Sequence, residues 1–452
     1  MKRIAETENG ILQGMQGTDA RITVYKGVPF AAPPVGENRW RAPQPCENWE
    51  GIRTAYTYGP ISMQDTPGLG DDVYCHEWHV DPDIPMSEDC LYLNIWTPAK
   101  SPDEKLPVLY WIYGGAFQWG YTAEMEFDAE RLAARGIVVV TVAYRLGAFG
   151  FLAHPEITKE SPDAPGNFGL LDQRAGLFWV KRNIAAFGGD PDRITVAGQS
   201  AGGCSVINQI TSETNGDLIK GAMIFSGIIR FDEKQIDQDL FRAPTLEEAE
   251  KQGEDLFAYL GVESLAQARD LDASFIVEKY AAYREDHPFL TNIIDGHFCK
   301  GDPQQRLAQG LYPNIPLISG NTTDEFIEEG INIVERSVKR TFGEILQNRP
   351  DAKLYYYRFG AEIPGDDHPG CFHSCDLWFF FETLMKCRRP FVGKHYDLAR
   401  QMCNYVAAFV KFGDPNCKDA DGSEQDKWEL YTAADKEGMD FTLDGPVLSK
   451  HT

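Results

Sequence analysis

Arg193-Ile194-Thr195-Val196-Ala197-Gly198-Gln199-Ser200-Ala201-Gly202-Gly203 decides how the rest of this 452-residue chain is read. Residues 194–197 form a short β-branched run closed by alanine, the kind that fills a buried parallel strand. Gly198 breaks the run, and residues 201–210 read as helix. G-x-S-x-G therefore stands between a strand and a helix, the context in which a nucleophile elbow forms. Such a turn is tight enough to hold the serine at strained backbone angles. Glycine at 198 and 202 lets neighbouring main chain approach where a Cβ would collide. The turn also aims a helix N-terminus, with its free N–H groups, at whatever the serine attacks. A serine hydroxyl is a weak nucleophile at neutral pH. The reading therefore demands a histidine base, an acid to orient it, and donors for an oxyanion.

Working outward, apolar runs at 108–113, 137–144 and 222–225 accompany the 194–197 run, with helical patterns at 128–135 and 170–187 between them. That alternation predicts a mostly parallel sheet covered on both faces by helices. Runs at 315–319 and 354–359 extend the sheet. A helix over 394–412, with Leu398, Met402, Tyr405, Val406 and Phe409 on one face, closes it. Residues 10–60 alternate turn residues with short apolar runs, read as a small antiparallel hairpin followed by a Pro-rich stretch. Residues 61–86 read as a loop, and 92–96 alternates like a half-buried strand. Residues 230–310 are acidic and helix-prone without a good strand. They are read as a helical insertion over the sheet's carboxyl edge, where α/β folds bind ligands. With no repeat and no linker, one α/β domain over 1–452 fits better than the two or three that length alone allows.

The formal net charge of −25 repels phosphate backbones and anionic lipid, which argues against nucleic-acid and membrane-surface partners. The first residues lack an apolar h-region and no run approaches a membrane span, so a cytoplasmic location is expected. The ten cysteines are scattered without a CxxC pair. That pattern points to free thiols rather than a disulfide framework or a zinc site, and no metal or cofactor is expected. The expected partner is a small-molecule substrate, and the expected state a monomer or weak homodimer.

Small residues directly after the 108–113 run, Gly114-Gly115-Ala116-Phe117, allow backbone N–H groups to face an adjacent crevice. Gly115, Ala116 and Gly114, with Ala201, are the candidate oxyanion donors. Each such donor is typically worth about 3–4 kcal/mol of transition-state stabilisation. The base should come late in the chain, and His287, His297, His368, His373 and His395 all follow the serine. His373 is favoured: it follows the 354–359 run and a Pro/Gly loop, and precedes the aromatic run Leu377-Trp378-Phe379-Phe380-Phe381. His368 reads more simply as a solvated turn, and His395 opens the last helix, where a cap suffices. The acid should end the strand at 315–319. Asp324 and Glu325 both qualify, and both also qualify as helix N-terminal acids favoured by the dipole. The residue pattern alone does not separate them.

Taken together these stretches resemble the type-B carboxylesterase family, which includes the cholinesterases. The likeness rests on Val24-Tyr25-Lys26-Gly27-Val28-Pro29-Phe30-Ala31, Ser87-Glu88-Asp89-Cys90-Leu91-Tyr92-Leu93-Asn94, Tyr113-Gly114-Gly115-Ala116-Phe117 and Gly166-Asn167-Phe168-Gly169-Leu170-Leu171-Asp172-Gln173. It continues through Phe187-Gly188-Gly189-Asp190-Pro191, the elbow, Asp324-Glu325 and Phe372-His373-Ser374. The resemblance implies an α/β-hydrolase fold and ester hydrolysis, with Ser200 as nucleophile, Glu325 as acid and His373 as base. Three departures matter. Gln199 stands where the family usually has Glu, which removes support for a cationic substrate. Tyr113 replaces a common His. Ser62 stands where the disulfide partner of Cys90 is expected, so that bridge is expected to be absent, with Cys75 a weaker substitute. The insertion before the acid is also short for the family, which implies a more open site.

The resulting expectation is a serine carboxylic-ester hydrolase acting on small to medium uncharged esters, with Gln199, Phe117 and Trp78 contacting substrate. Two readings compete with it: an aryl-ester specialist of the feruloyl or cinnamoyl type, and a non-catalytic binding module built on the same fold.

Overall fold

The structure is a computed structural model that describes residues 3–230, 242–419 and 422–451. Its centre is an eleven-stranded sheet. Seven neighbouring strands run parallel, in the spatial order Glu437–Thr442, Leu354–Phe359, Leu317–Thr322, Ile219–Phe225, Gly189–Gln199, Leu106–Ile112 and Val138–Val142. Beyond Val138–Val142, antiparallel strands Tyr92–Thr97, Thr23–Pro29 and Met15–Gln16 complete one edge. Gly445–Lys450 caps the other. The Val138–Val142 strand is buried at every position, as a β-branched run between two covered faces must be.

Helices pack around the sheet. Ala201–Thr211 lies on Gly189–Gln199 and Ile219–Phe225, Ile333–Asn348 on Leu317–Thr322, and Gly393–Phe412 on Leu106–Ile112. Trp96, Trp111 and Trp179 are fully buried in the resulting core. The long helices start and stop where the sequence supplies the chemistry. Phe168–Asn183 carries Lys181 and Arg182 in its last turn, where cations favour the dipole. Gly393–Phe412 ends on Gly413 at φ 65°, a left-handed stop that glycine adopts without strain.

The elements match the sequence reading in type and order at the six parallel runs. The N-terminal region differs. The hairpin pairs Ile4–Thr7 with Gly10–Gln13 in a separate three-stranded sheet with Ile52–Thr54. Thr23–Pro29 instead joins the main sheet against Tyr92–Thr97, because its largely buried face needs a covered neighbour. The 61–86 loop contains a short helix, Val73–Glu77, begun by Asp72, whose side chain accepts from the Tyr74 and Cys75 N–H groups. Helices Leu246–Leu260, Leu265–Arg269 and Ala273–Tyr283 fall where the insertion was read as helical. The part of that insertion at 231–241 lies outside the described residues.

All ten cysteines are free thiols. Ser62 does lie beside Cys90, its hydroxyl in contact with the Cys90 thiol and accepting from the Leu146 N–H at 3.1 Å. Cys75 turns to the Asp72 carboxylate, 3.4 Å away. Burial pushes the Cys204, Cys299 and Cys403 thiols up to about 12, so these cysteines are unreactive at neutral pH. The melting temperature should therefore be the same with and without dithiothreitol. A fall of several degrees under reducing conditions would reveal a bridge that these geometries do not contain.

Candidate active site

Ser200 follows directly on the strand Gly189–Gln199 and opens the helix Ala201–Thr211. Its backbone sits at φ 56°, ψ −123°, a region that a residue with a Cβ adopts only when its surroundings impose it. Here they do. A Cβ on Gly202 would lie 2.1 Å from the Ile112 carbonyl oxygen, and one on Gly198 would lie 2.3 Å from the Gly202 oxygen. The turn is closed by the Ser200 N–H donating to Phe225 O at 2.9 Å and by Cys204 N–H donating to Ser200 O at 2.8 Å.

The strand beside it, Leu106–Ile112, continues into Gly114, Gly115, Ala116 and Phe117. Gly115, Ala116 and Phe117 take φ of 102°, 53° and 62° in succession, which folds the chain sharply back. Gln118 and Trp119 N–H groups both donate to Gly115 O and fix that turn. Among the described residues, the N–H groups of Gly114, Gly115, Ala116 and Ala201 donate to no other backbone carbonyl. All four residues line the same cavity as Ser200.

His373 is carried by the segment after Leu354–Phe359. Its Nδ1 is in short contact with Glu325 Oε2, and its Nε2 lies 3.1 Å from the Gln199 side-chain nitrogen. Glu325 is buried just past the end of the strand Leu317–Thr322. Its other oxygen accepts from Ser226 Oγ at 2.8 Å and from Thr322 N–H at 2.9 Å, which fixes the carboxylate plane. Asp324, the rival acid, turns away and accepts from Cys371 N–H at 2.7 Å, bracing the loop that presents His373. Four other late histidines, His287, His297, His395 and His451, are engaged elsewhere, His451 with Asp440 at 3.2 Å. His287 stacks on Tyr283 with ring centroids 3.9 Å apart. His395 accepts from Val392 N–H at its helix start. His297 faces Asp163 at the surface.

The cavity measures about 410 Å³. Trp78, Phe117, Trp119, Phe127, Phe289 and Phe326 give it apolar walls, and Phe289, Thr291 and Asn292 come from the predicted insertion. Trp78 is itself packed between Trp378 and Phe372. Of the expected contacts, Gln199, Phe117 and Trp78 all line the cavity. Among the described residues, no three His, Cys, Asp or Glu side chains cluster to hold a metal ion, and no helix is long and apolar enough to cross a membrane.

Several groups around the site escaped the sequence reading. Ser226 directly follows the strand Ile219–Phe225 next to the elbow, a position at the carboxyl edge that could have been searched. Glu126 is fully buried on the cavity wall, and burial, then the adjacent Glu124, raise its carboxyl well above the ordinary range. Glu124 is paired with His79 at 3.0 Å. Burial opposes the His79 charge, but the Glu124 contact and Asp72 together lift the imidazole above its usual value. Asp376, beneath the pair of Glu325 and His373, accepts from the Tyr357 hydroxyl at 2.8 Å. Burial, then the Glu325 charge, push its carboxyl up to about 7.

The carboxylesterase family profile matches residues 1–349 and 337–451. The chain belongs to the carboxylesterase family. It is 36% identical to the para-nitrobenzyl esterase of Bacillus subtilis over 97% of this chain and 94% of that protein. It is also 36% identical to the fumonisin B1 esterase of Sphingopyxis macrogoltabida over 72% of this chain, spanning 56% of that longer protein. A solved para-nitrobenzyl esterase structure superposes with a TM-score of 0.84 at 26% identity, covering 100% of this chain and 97% of that one. The Geobacillus stearothermophilus carboxylesterase EST55 superposes with a TM-score of 0.81 at 28% identity, covering 99% and 98%. The fold is the α/β-hydrolase fold of these carboxylesterases, and the chain is a carboxylesterase by family.

Asp376 gives this carboxylesterase a pH-dependent term in its stability. Its folded pKa of about 7 lies above the ordinary 3.8, so the folded chain holds the proton more tightly than the unfolded one. That contribution is complete below about pH 4 and is lost as the pH rises toward 7. Asp376→Asn should melt with the parent at pH 4 and about 2–3 °C above it at pH 8, read by calorimetry. Equal melting at both values would contradict a proton held at this position.

Proposed function

We propose that this carboxylesterase is a serine hydrolase with Ser200 as nucleophile, His373 as base and Glu325 as its orienting acid. Small to medium uncharged esters are its substrates. The observation that carries the reading is the imidazole of His373, held through Nδ1 by a buried, doubly hydrogen-bonded carboxylate, in one 410 Å³ cavity with a serine at the head of a strained elbow. His451 is also buried against a carboxylate, Asp440, but does not line the cavity that holds Ser200 and His373.

The chemistry follows from that arrangement. His373 Nε2 takes the proton as Ser200 Oγ adds to the ester carbonyl. The charge that develops on the carbonyl oxygen is met by the N–H groups of Gly115, Ala116 and Ala201, with Gly114 alongside. Glu325 keeps the proton on Nδ1 and stabilises the imidazolium, which then protonates the departing alcohol. A water activated by the same imidazole cleaves the acyl-enzyme and restores Ser200. Phe117 and Trp78 serve as walls for the bound ester. The insertion, through Phe289 and Asn292, forms part of the rim. The aromatic lining by Trp119, Phe289 and Phe326 also supports a second reading, a preference for aryl esters of the cinnamoyl type. Hydrolysis rates over short-chain, long-chain and hydroxycinnamoyl esters separate the two.

Ser200→Ala should abolish hydrolysis of p-nitrophenyl acetate and leave the melting temperature within a few degrees of the parent. Glu325→Gln, which permits the wrong imidazole tautomer, should lower kcat by roughly 10³–10⁴-fold. A Ser200→Ala variant that retains full activity would refute the nucleophile.

A further inference from the structure

We propose that Gln199 is a positioning residue for the base, because in the resting enzyme its amide occupies the lone pair with which His373 must take the Ser200 proton. This rests on the assignment of Ser200, His373 and Glu325 given above. The tautomer follows from the partners. Glu325 Oε1 accepts from both Ser226 Oγ and Thr322 N–H, so the carboxylate acts as an acceptor, and Nδ1 of His373 donates to its other oxygen. Nε2 therefore presents an unshared pair. The Gln199 side-chain nitrogen lies 3.1 Å from it, and only the NH₂ end of an amide can donate there. Gln199 is buried, with its side chain across Gly114. A Cβ on Gly114 would lie 2.9 Å from Gln199 Oε1, so the glycine leaves room for the amide.

Imidazole nitrogen has one in-plane lone pair, so the Gln199 N–H and the Ser200 O–H compete for it. The amide bond has to be given up or shared before Ser200 can be deprotonated. Once Nε2 carries a proton, the other end of the same amide can accept it after a half-turn about the last side-chain bond. Glutamine can thus serve both protonation states of the base. Glutamate can only accept, so it favours the imidazolium and keeps the base occupied to higher pH. Methionine, of similar length, serves neither state. The charged and titratable groups that face the imidazole are Glu325 and, beneath it, Asp376. Tyr74 donates to its backbone oxygen, and the Phe326 ring packs edge-on at 4.8 Å. Glu124, Glu126 and His79 lie on the wall of the same cavity.

The test is the pH profile of kcat/KM for p-nitrophenyl acetate from pH 4.5 to 9 in the wild type, Gln199→Glu and Gln199→Met. The rate at which a fluorophosphonate labels Ser200 is measured on the same proteins. Gln199→Glu should move the acid limb up by about one pH unit while approaching wild-type rates at high pH. Gln199→Met should leave the limb in place and label Ser200 about fivefold faster, the advantage expected when one competing hydrogen bond is removed. A Gln199→Glu profile superimposed on the wild type, or Gln199→Met labelling no faster than wild type, overturns the proposal. If Gln199→Met does not fold, the Gln199→Glu profile decides alone. Failure of the wild-type Ser200 to label at all would instead remove the triad on which the proposal rests.

Discussion

The passage of two glycines beneath the end of a neighbouring strand is the contact on which the site depends. Gly202 lies so close to the Ile112 carbonyl that a Cβ would come within 2.1 Å, and Gly198 is equally confined by Gly202 itself. That contact joins three pieces of main chain: the end of Leu106–Ile112, the turn at Ser200 and the first turn of Ala201–Thr211. The candidate oxyanion loop is the direct continuation of Leu106–Ile112. The serine and the donors that would meet its oxyanion are therefore set by one backbone packing, not by separate side-chain contacts. A strained residue of this kind costs on the order of 1–3 kcal/mol, and it persists because the buried sheet and helix around it leave no cheaper arrangement.

The proposed acid and base are fixed from the opposite side. Glu325 is locked by Ser226, just past the end of the next strand, and by the Thr322 main chain. Asp324 reaches across to Cys371 N–H and ties the acid's turn to the loop that carries His373. Two adjacent acidic residues thus divide the work, one facing the imidazole and one bracing its loop. Ordering of this kind before substrate arrives is what makes a hydrogen-bonded site effective, since little reorganisation remains for the reaction itself. Between the two halves sits Gln199, which belongs to the elbow by sequence and to the base by contact.

How much of this was legible in the sequence varies with the kind of interaction. Six of the seven parallel strands were, because apolar runs bounded by breakers have few other uses. The elbow was, because its glycines answer a steric demand visible in five residues. The choice between Asp324 and Glu325 was not legible from pattern, since adjacent acids differ only in where the backbone turns them. Only the family resemblance separated them. The strands Glu437–Thr442 and Gly445–Lys450 were missed: Asp440 and Thr442 interrupt the apolar run of the first, which is buried between two neighbours, and Ser449 and Lys450 that of the second, the exposed edge strand. The helix Ile333–Asn348 was also passed over, although Val334, Val338, Phe342 and Ile345 recur at helical spacing and are all buried. Ser226, Asp376 and the Glu124–Glu126 pair carry no motif. Their place at the site comes from strand adjacency, which no local window contains.

Those buried acids also bear on what the cavity would accept. Burial disfavours the charged form of Glu126 and Asp376 and raises both carboxyls above their ordinary range, and Glu124 is paired with His79. The chain as a whole is strongly acidic, yet the carboxyls around the site have their charge disfavoured by burial, as at Glu126 and Asp376, or face a histidine, as Glu124 and Glu325 do. An apolar cavity with its charges cancelled in this way gives no reward for a charged ester and exacts a desolvation cost for binding one. Glutamine in place of glutamate at position 199 works in the same direction, since it places an amide dipole rather than a full charge beside the base. The proposed preference for uncharged esters thus draws on two independent features, the burial of acids near the cavity and the neutrality of the residue before the proposed nucleophile.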